Sequence, residues 1–193
     1  MRFTTSMISR VNATNQDGRD IMSMQVQRDV APIVKSAGEW RDAMAKMAEK
    51  KTPSFFHIRA QLPIQGRTNQ VLGASPYMNV VLKTYASGGE NEIHAHTNED
   101  HVFVILQGAA TFFGPRGERR EAAKNDCVLV PAGALYSFHA CEGEPLVMLR
   151  VGAAIDPTTD VLARVDEHGA PFDGYSEKNK EVPVVLDEHA WYE

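Results

Sequence analysis

Residues 88–108 read GGENEIHAHTNEDHVFVILQG, and three of the chain's seven histidines lie within this stretch. His94 and His96 are two residues apart, so on a β-strand both side chains point to the same face. His101 opens the apolar run HVFVILQG, and an antiparallel strand there brings a third imidazole to the same centre. Neutral imidazole nitrogens suit zinc, copper, iron and nickel. The stretch therefore predicts a metal held by His94, His96 and His101, with open positions for water or substrate.

The flanking sequence consists of short apolar segments separated by Gly, Pro, Asn or Asp. From residue 78 onward these segments are MNVVLKTYA, EIHAH, HVFVILQG, AATFFG, CVLVPAG, LYSFHAC and PLVMLRVG. Many short strands with such punctuation indicate a β-sandwich or barrel. GRTNQVLGASPY at 66–77 is interpreted as loops, and PRGERRE at 115–121 as a solvated hairpin turn.

The two ends of the chain extend beyond this β-rich part. Residues 1–28 are polar and are expected to be loosely ordered, whereas 31–51 show a helical pattern with Trp40, Met44 and Met47 on one face. Ser36 and Glu39 have the spacing of a capping box. The predicted organisation is a single domain, 1–193, made of an N-terminal arm and helix (1–52), a barrel (53–152) and a C-terminal extension (153–193).

Composition excludes some classes of partner. The net charge is −5 and the pI is near 5.8, which argues against nucleic-acid binding. No apolar run is long enough to span a bilayer, and the N-terminus lacks an apolar secretory segment. Cys127 and Cys141 form no disulfide framework and are expected to be buried, reduced thiols. A cytoplasmic location is the default expectation, with no membrane partner.

The spaced residues described above resemble the two motifs of the cupin family. The first motif is Gly, five residues, HxH, three or four residues, Glu, six residues and Gly, and the spacing from Gly88 through His94-Ala95-His96 and His101 to Gly108 fits it. The second is Gly, five residues, Pro-x-Gly, two residues and His, and the segment from Asn125 through Pro131-Ala132-Gly133 to Tyr136 fits it. The resemblance covers roughly residues 75–152. It implies an all-β double-stranded β-helix, the small jelly-roll barrel, with a metal inside.

The sequence departs from this pattern at two ligand positions. His101 stands where the family has an acidic ligand, and Tyr136 stands where it has a histidine. A phenol has a pKa near 10 and binds a metal only if the metal displaces its proton, which ferric iron does more readily than zinc. Glu99 is an alternative ligand if the loop is irregular. His139 is another, although strand alternation points it away from Tyr136.

The remaining pocket residues follow from strand alternation. Phe103 and Ile105 share the face of His101, and Phe138 shares that of Tyr136, so the interior is expected to be largely apolar. Lys83, Arg59 and Arg150 are possible anchors for an anionic substrate, although surface positions are expected for them. For the isolated His57, His168 and His189, surface or core packing is expected.

Three functions are compatible with these residues. The favoured one is an iron-dependent dioxygenase that cleaves a C–C bond of a small organic molecule, with Tyr136 donating a hydrogen bond or a proton. A non-oxidative lyase, isomerase or decarboxylase is the alternative, with zinc, nickel or manganese as the metal and Tyr136 and Glu99 as acid and base. A non-catalytic small-ligand-binding barrel is the third. The resemblance also implies a homodimer in which an arm adds to the partner's sheet.

Overall fold

A computed structural model describes residues 29–86, 88, 90–176, 179 and 182–193. The expectation for residues 1–28 falls outside these residues. The described part contains one α-helix, α1, and twelve β-strands. The elements are α1 (Ala37–Ala48), β1 (Ala60–Gln65), β2 (Arg67–Ala74), β3 (Met78–Tyr85), β4 (His94–His96), β5 (Glu99–Gln107), β6 (Ala109–Phe113), β7 (Arg119–Ala123), β8 (Cys127–Val130), β9 (Ser137–Ala140), β10 (Leu146–Ala154), β11 (Arg164–Asp166) and β12 (Val185–Tyr192).

The strands form a two-layered jelly roll. One layer is a five-stranded sheet in the order β2-β3-β10-β5-β8. The other contains the three-stranded sheet β7-β6-β9 and the pair β11-β4, and an isolated bridge links His94 of β4 to Tyr136, the residue before β9. All of these pairings are antiparallel. The predicted all-β double-stranded β-helix with an N-terminal helix is confirmed.

The core lies between the two layers because strand alternation turns every second side chain inward. On β5, Glu99, His101, Phe103 and Ile105 are buried, while the intervening Asp100 is exposed. Phe103 and Ile105 pack with Tyr85, Phe138, Leu146 and Met148 in one cluster. A separate apolar cluster around Trp40 packs α1 against β2 and β3. The barrel therefore holds an apolar half next to the histidines.

The helix is shorter than the 31–51 predicted. Ser36 has an extended backbone and its Oγ accepts a hydrogen bond from the Glu39 N–H, so it is the N-cap and α1 starts at Ala37. The Glu39 carboxylate in turn accepts from the backbone N–H of Lys35, one residue before the cap. Before the cap the chain is extended, and Ile33 forms a bridge to Gln70 of β2.

The prediction of loops at residues 66–77 was wrong, because most of this segment is β2. Its polar side chains are buried: Gln70 donates to the Ala31 carbonyl, and the Thr68 and Thr84 hydroxyls lie 2.6 Å apart. Because these inward-facing positions hold hydrogen-bonded polar residues, the sequence lacks the alternation of apolar and polar residues by which a strand is predicted. The segment 115–121 is a turn only in its first part, since Arg119 begins β7.

The second motif is visible in the backbone. Asn125 stands where the family has glycine, and it is the only non-glycine described residue with positive φ, at 76°. That left-handed conformation favours glycine, and asparagine tolerates it better than other residues do.

The prediction that both cysteines are buried was wrong, because Cys127 is exposed and Cys141 is half-buried, both as free thiols.

The C-terminal extension returns to the barrel. β11 pairs with β4 beside the histidines, and β12 pairs with β1 on the opposite flank. Among the described residues no helix has the length and apolarity that crossing a membrane requires.

Candidate metal centre

The three predicted histidines meet inside the barrel. β4 carries His94 and His96, β5 carries His101, and each side chain is 2% exposed. The ring centroids of His94 and His96 are 5.4 Å apart, and those of His96 and His101 are 4.6 Å apart. Two pairings set this arrangement: β5 pairs with β10 in the five-stranded sheet, while β4 pairs with β11 in the facing layer.

His94 is held from three sides. Its Nδ1 lies 2.8 Å from the Glu92 carbonyl oxygen. A carbonyl only accepts, so Nδ1 carries the proton and Nε2 keeps a lone pair. Its ring is 4.9 Å from that of Tyr136 and stacks on Phe172 at 4.7 Å with an interplanar angle of 13°. Phe172 belongs to the C-terminal extension, which therefore covers this side of the centre.

His96 contacts a buried ion pair. Its Nδ1 lies 3.3 Å from Glu99 Oε2 and 3.4 Å from a guanidinium nitrogen of Arg150, and Glu99 and Arg150 form a salt bridge. Glu99 Oε1 accepts from Asn79 Nδ2 at 2.7 Å and from Arg150 at 3.2 Å. A metal on Nε2 of His96 would leave the ring proton on Nδ1. The Glu99 carboxylate can then accept a hydrogen bond from Nδ1–H.

The space for this ion pair depends on Gly152 of β10. A Cβ at Gly152 would overlap the Glu99 carboxylate and come within 2.9 Å of Asn79 Nδ2. Gly152 is therefore required for close approach, and its φ is not positive.

His101 has one satisfied nitrogen and one unsatisfied nitrogen. Its Nε2 lies 3.0 Å from the Tyr136 hydroxyl, while its buried Nδ1 has no hydrogen-bond partner among the described residues. Buried polar atoms in proteins are normally paired, so this nitrogen is one that a bound ion would satisfy. With an ion on Nδ1, the Nε2–H of His101 would donate to the Tyr136 oxygen. Burial raises the pKa of Tyr136 to about 12, so the phenol keeps its own proton and can donate it elsewhere.

All three imidazoles are neutral at pH 7. Burial, and then the nearby Arg164 guanidinium, lowers the pKa of His94 to about 3, and the same causes lower that of His96 well below its ordinary value. Burial and then Arg150 lower the pKa of His101. The neutral ring is the form that binds metals. The donor set and the unsatisfied nitrogen therefore fit a transition metal.

Of the described residues, His96, Glu99 and His101 form the group whose possible ligand atoms all lie within 4.8 Å of one another. This group leaves out two members of the predicted set, His94 and Tyr136, and it includes Glu99, which was predicted as an acid–base residue and as an alternative ligand. The Glu99 oxygens are already engaged by Asn79, Arg150 and His96. Glu99 therefore contacts His96 Nδ1 and also belongs to the group that could hold an ion.

The predicted anion anchors lie in different places. Lys83 and Arg150 are buried inside the barrel, so the expectation of surface positions was wrong for both. Arg59 lies at the β1–β12 flank, where it pairs with Glu193 at 2.7 Å. The interior is also less apolar than predicted, because these cations and Glu99 occupy it. The polar inner face of β3, which includes Asn79 and Lys83, was readable from strand parity.

The other histidines lie away from the cluster. His139 packs against the ring of Phe113 at 5.1 Å, and His57, His168 and His189 are exposed. Two residues beside the site were missed in the sequence, namely Arg164 and Phe172. Both lie in the predicted C-terminal extension, and nothing local distinguishes them.

Comparison with known proteins agrees with the motifs and the fold. A family model described as the cupin domain matches residues 81–152. This part of the chain is a cupin domain. The match covers β3 to β10 and contains all four predicted ligand positions of the cupin domain. No curated protein matches the chain.

Three solved structures are similar to part of this chain at low sequence identity. The cupin domain of Schizosaccharomyces pombe Cnp3 is 19% identical with a TM-score of 0.43, over 46% of this chain and 64% of that one. KdgF from a Halomonas species is 18% identical with a TM-score of 0.43, over 50% of this chain and 87% of that one. A cupin superfamily protein from Desulfitobacterium hafniense DCB-2 is 24% identical with a TM-score of 0.39, over 47% and 78%.

Proposed function

We propose that this chain is a mononuclear metal-dependent cupin enzyme, an iron-dependent dioxygenase that cleaves a C–C bond of a small organic molecule. The observation that carries the proposal is the buried cluster of three neutral imidazoles, in which His101 Nδ1 has no partner among the described residues. In this proposal His94, His96 and His101 hold one metal ion per chain. Iron(II) bound by such ligands, with open positions, would activate O2 towards a chelating diketone, catechol-like or hydroxyketone substrate.

Tyr136 is the proposed proton donor. Its hydroxyl lies 3.0 Å from His101 Nε2, and burial raises its pKa to about 12, so it carries a proton that it can share with a substrate oxygen. Its ring packs in the apolar cluster with Phe103 and Phe138. Tyr136 would become a metal ligand only on losing this proton.

The environment of Glu99 favours the oxygenase over the lyase or isomerase alternative. Those reactions need a free base, and Glu99 was the candidate for it. Its carboxylate is fully buried and accepts hydrogen bonds from Asn79 and Arg150. Both of its oxygens are thus occupied by Asn79, Arg150 and His96, and neither is free to face a bound substrate.

The test is the metal content of the untagged protein by mass spectrometry, with a visible spectrum and O2 consumption on the same sample. We expect about one iron per chain, and O2 uptake with a diketone or catechol panel. His96→Ala should lose the iron, while the matched control His139→Ala, a histidine outside the cluster, should keep it. Zinc, nickel or manganese without O2 uptake would contradict the dioxygenase. The absence of metal after reconstitution would contradict the metalloenzyme.

A further inference from the structure

A cavity of about 240 Å³ lies beside the candidate metal centre, between α1 and the C-terminal extension. Three aromatic residues line it, Trp40 of α1 and Phe172 and Tyr175 of the extension. Phe172 also stacks on the ring of His94 at 4.7 Å. One aromatic ring therefore separates the cavity from the histidine cluster.

Arg164 is the unpaired charge in the wall of this cavity. It sits on β11 opposite His96 in the strand register, and its guanidinium lies against Gly174. It makes no hydrogen bond or ion pair to any residue that the structure describes, and its Nε is buried. The second arginine of the cavity, Arg41, differs: both its Nε and Nη2 donate to the Asp160 carboxylate, at 3.2 and 2.7 Å. Only one of the two guanidiniums thus has a counter-ion.

A second donor in the same wall lacks an acceptor. Trp40 is 1% exposed, and its indole Nε1–H has no partner among the described residues. An indole N–H only donates, as a guanidinium does. Arg164 is half-buried, and its buried Nε and the Trp40 Nε1 are thus two donors in one cavity wall that lack an acceptor.

The surrounding charges do not supply this acceptor. Behind Trp40, the Lys83 Nζ and the Arg150 guanidinium lie 5.3 and 5.9 Å from its ring centroid. Arg150 forms its salt bridge with the buried Glu99 carboxylate, and Lys83 donates a hydrogen bond to Asn69 Oδ1 at 2.6 Å. At the cavity rim, Asp173 Oδ1 accepts from the Tyr175 backbone N–H at 2.9 Å, and Asp173 is exposed.

On its barrel side, Arg164 faces the guanidiniums of Arg150 and Arg67, and the Glu99 carboxylate opposes them. Burial and then the Arg150 guanidinium lower the pKa of Arg164, and burial with three neighbouring arginines lowers that of Lys83 well below its ordinary value. Arginine retains its charge even so, since its pKa in water is above 12. A bound anion at Arg164 would offset this repulsion.

We propose that this cavity binds a carboxylate carried on a flat apolar body, with Arg164 pairing the carboxylate and Trp40, Phe172 and Tyr175 enclosing the body. A guanidinium matches a carboxylate through two parallel N–H···O bonds, which a spherical halide cannot use. The inference rests on the proposed function only in one respect, that the bound anion would be the substrate, with its charged end at Arg164, opposite His96 in the β11–β4 register.

The test measures binding of benzoate and of benzamide, its uncharged isostere, to metal-free protein. The Trp191→Phe background leaves Trp40 as the one tryptophan of the chain, so its fluorescence reports occupancy of the cavity. We expect benzoate to bind at least about tenfold more tightly than benzamide, which corresponds to one charge-assisted pairing. Equal binding of the two compounds, or no binding of benzoate, would overturn the proposal. This outcome can be measured with Arg164 in place, before any arginine variant is made.

Arginine variants locate the binding. Arg164→Gln should weaken benzoate binding about tenfold and abolish the preference over benzamide, while Arg164→Lys should retain part of it. The matched control Arg41→Gln removes the same charge from the same cavity, and it should keep the preference because Arg41 already has Asp160. Circular dichroism of each variant checks folding. An unchanged preference in Arg164→Gln would contradict the assignment.

Reconstitution of the same metal-free protein with iron, followed by metal analysis, separates this inference from the proposed function. Discrimination between benzoate and benzamide in a protein that binds no metal would support the anion site and contradict the metalloenzyme. A protein that binds iron but does not discriminate would contradict the anion site alone.

Discussion

At the scale of single residues, the Glu99–Arg150 ion pair controls the environment of the histidines. Both side chains are almost fully buried, and together with Asn79 they form a closed set of hydrogen bonds next to His96. Buried charges are costly unless paired, so each residue of the pair depends on the other. The pair thus links the stability of the barrel to the orientation of one proposed metal ligand.

Removing one partner should be far more costly than removing both. We expect Arg150→Met to lower the free energy of unfolding by about 3–5 kcal/mol, because Glu99 is left as an unpaired buried carboxylate. The double variant Glu99→Met/Arg150→Met should recover a large part of this loss. Urea unfolding of the metal-free protein measures both. A double variant no more stable than Arg150→Met would show that the ion pair is not the cause.

His94 and His96 match the ligand residues of the cupin motifs, whereas Tyr136 departs from them. His94 and His96 occupy the positions that the HxH pattern assigns, whereas Tyr136 replaces a histidine and hydrogen-bonds to His101. A residue in a ligand position can therefore act next to a metal without binding it. The raised pKa of Tyr136 keeps it in the protonated form that this role requires.

At the scale of elements, the C-terminal extension closes the side of the barrel that carries β4. β11 adds to β4 as a neighbouring strand, and Phe172 follows β11 so closely that its ring reaches His94. The three imidazoles owe their low exposure in part to this cover. The extension therefore belongs to the candidate site even though it lies outside the segment that matches the cupin family.

Truncating the covering ring should open the centre. In Phe172→Ala we expect a chelator to remove the bound metal roughly tenfold faster than from the wild type, because the stacked ring that shields His94 is lost. The rate of metal loss in excess EDTA, followed by a colorimetric indicator, measures this. Phe55→Ala, which truncates an exposed phenylalanine, is the control. An unchanged rate in Phe172→Ala would show that the ring does not limit access.

At the scale of the whole molecule, three buried neutral imidazoles couple folding to pH. The pKa of His94 is about 3 in the folded protein against 6.5 in the unfolded chain, and those of His96 and His101 are also lowered. Below pH 6.5 the unfolded chain binds protons that the folded protein excludes. The stability is therefore fully present above this pH and is lost as the pH falls.

The metal-free protein should thus become less stable between about pH 6.5 and about pH 5.5, by up to about 1.4 kcal/mol per pH unit for each buried histidine. Urea unfolding across this range measures the slope. His94→Asn should reduce the slope by one histidine's share, whereas His189→Asn, at an exposed position, should leave it unchanged. A flat profile in the wild type would mean that these rings protonate as readily in the folded state.

The homodimer stays a prediction at this scale. β12 pairs with β1 of the same chain, so the C-terminal arm is satisfied without a partner's sheet. Leu129 on β8, the edge strand of the five-stranded sheet, is 70% exposed and is available to a second copy. Sedimentation equilibrium gives the molecular mass, and a monomer at all concentrations would contradict the dimer.

Local patterns were enough to predict the β-rich fold, the three converging histidines and the second motif. The spacing of His94 and His96, the inward parity from His101 to Ile105, and a turn residue at Asn125 each depend on a few neighbouring positions and on the two-residue period of a strand. For the same reason the polar strand β2 was missed, because its buried Thr68, Asn69 and Gln70 are paired by distant groups.

The surroundings of the histidines depend on residues that are far apart in the chain. Glu99 meets Arg150 only because β5 and β10 are neighbours, and Phe172 reaches His94 only because β11 pairs with β4. Arg164 likewise acquires its place beside the centre through that pairing. No local signal records such contacts, since burial and charge pairing are properties of the packed barrel and not of the segments that build it.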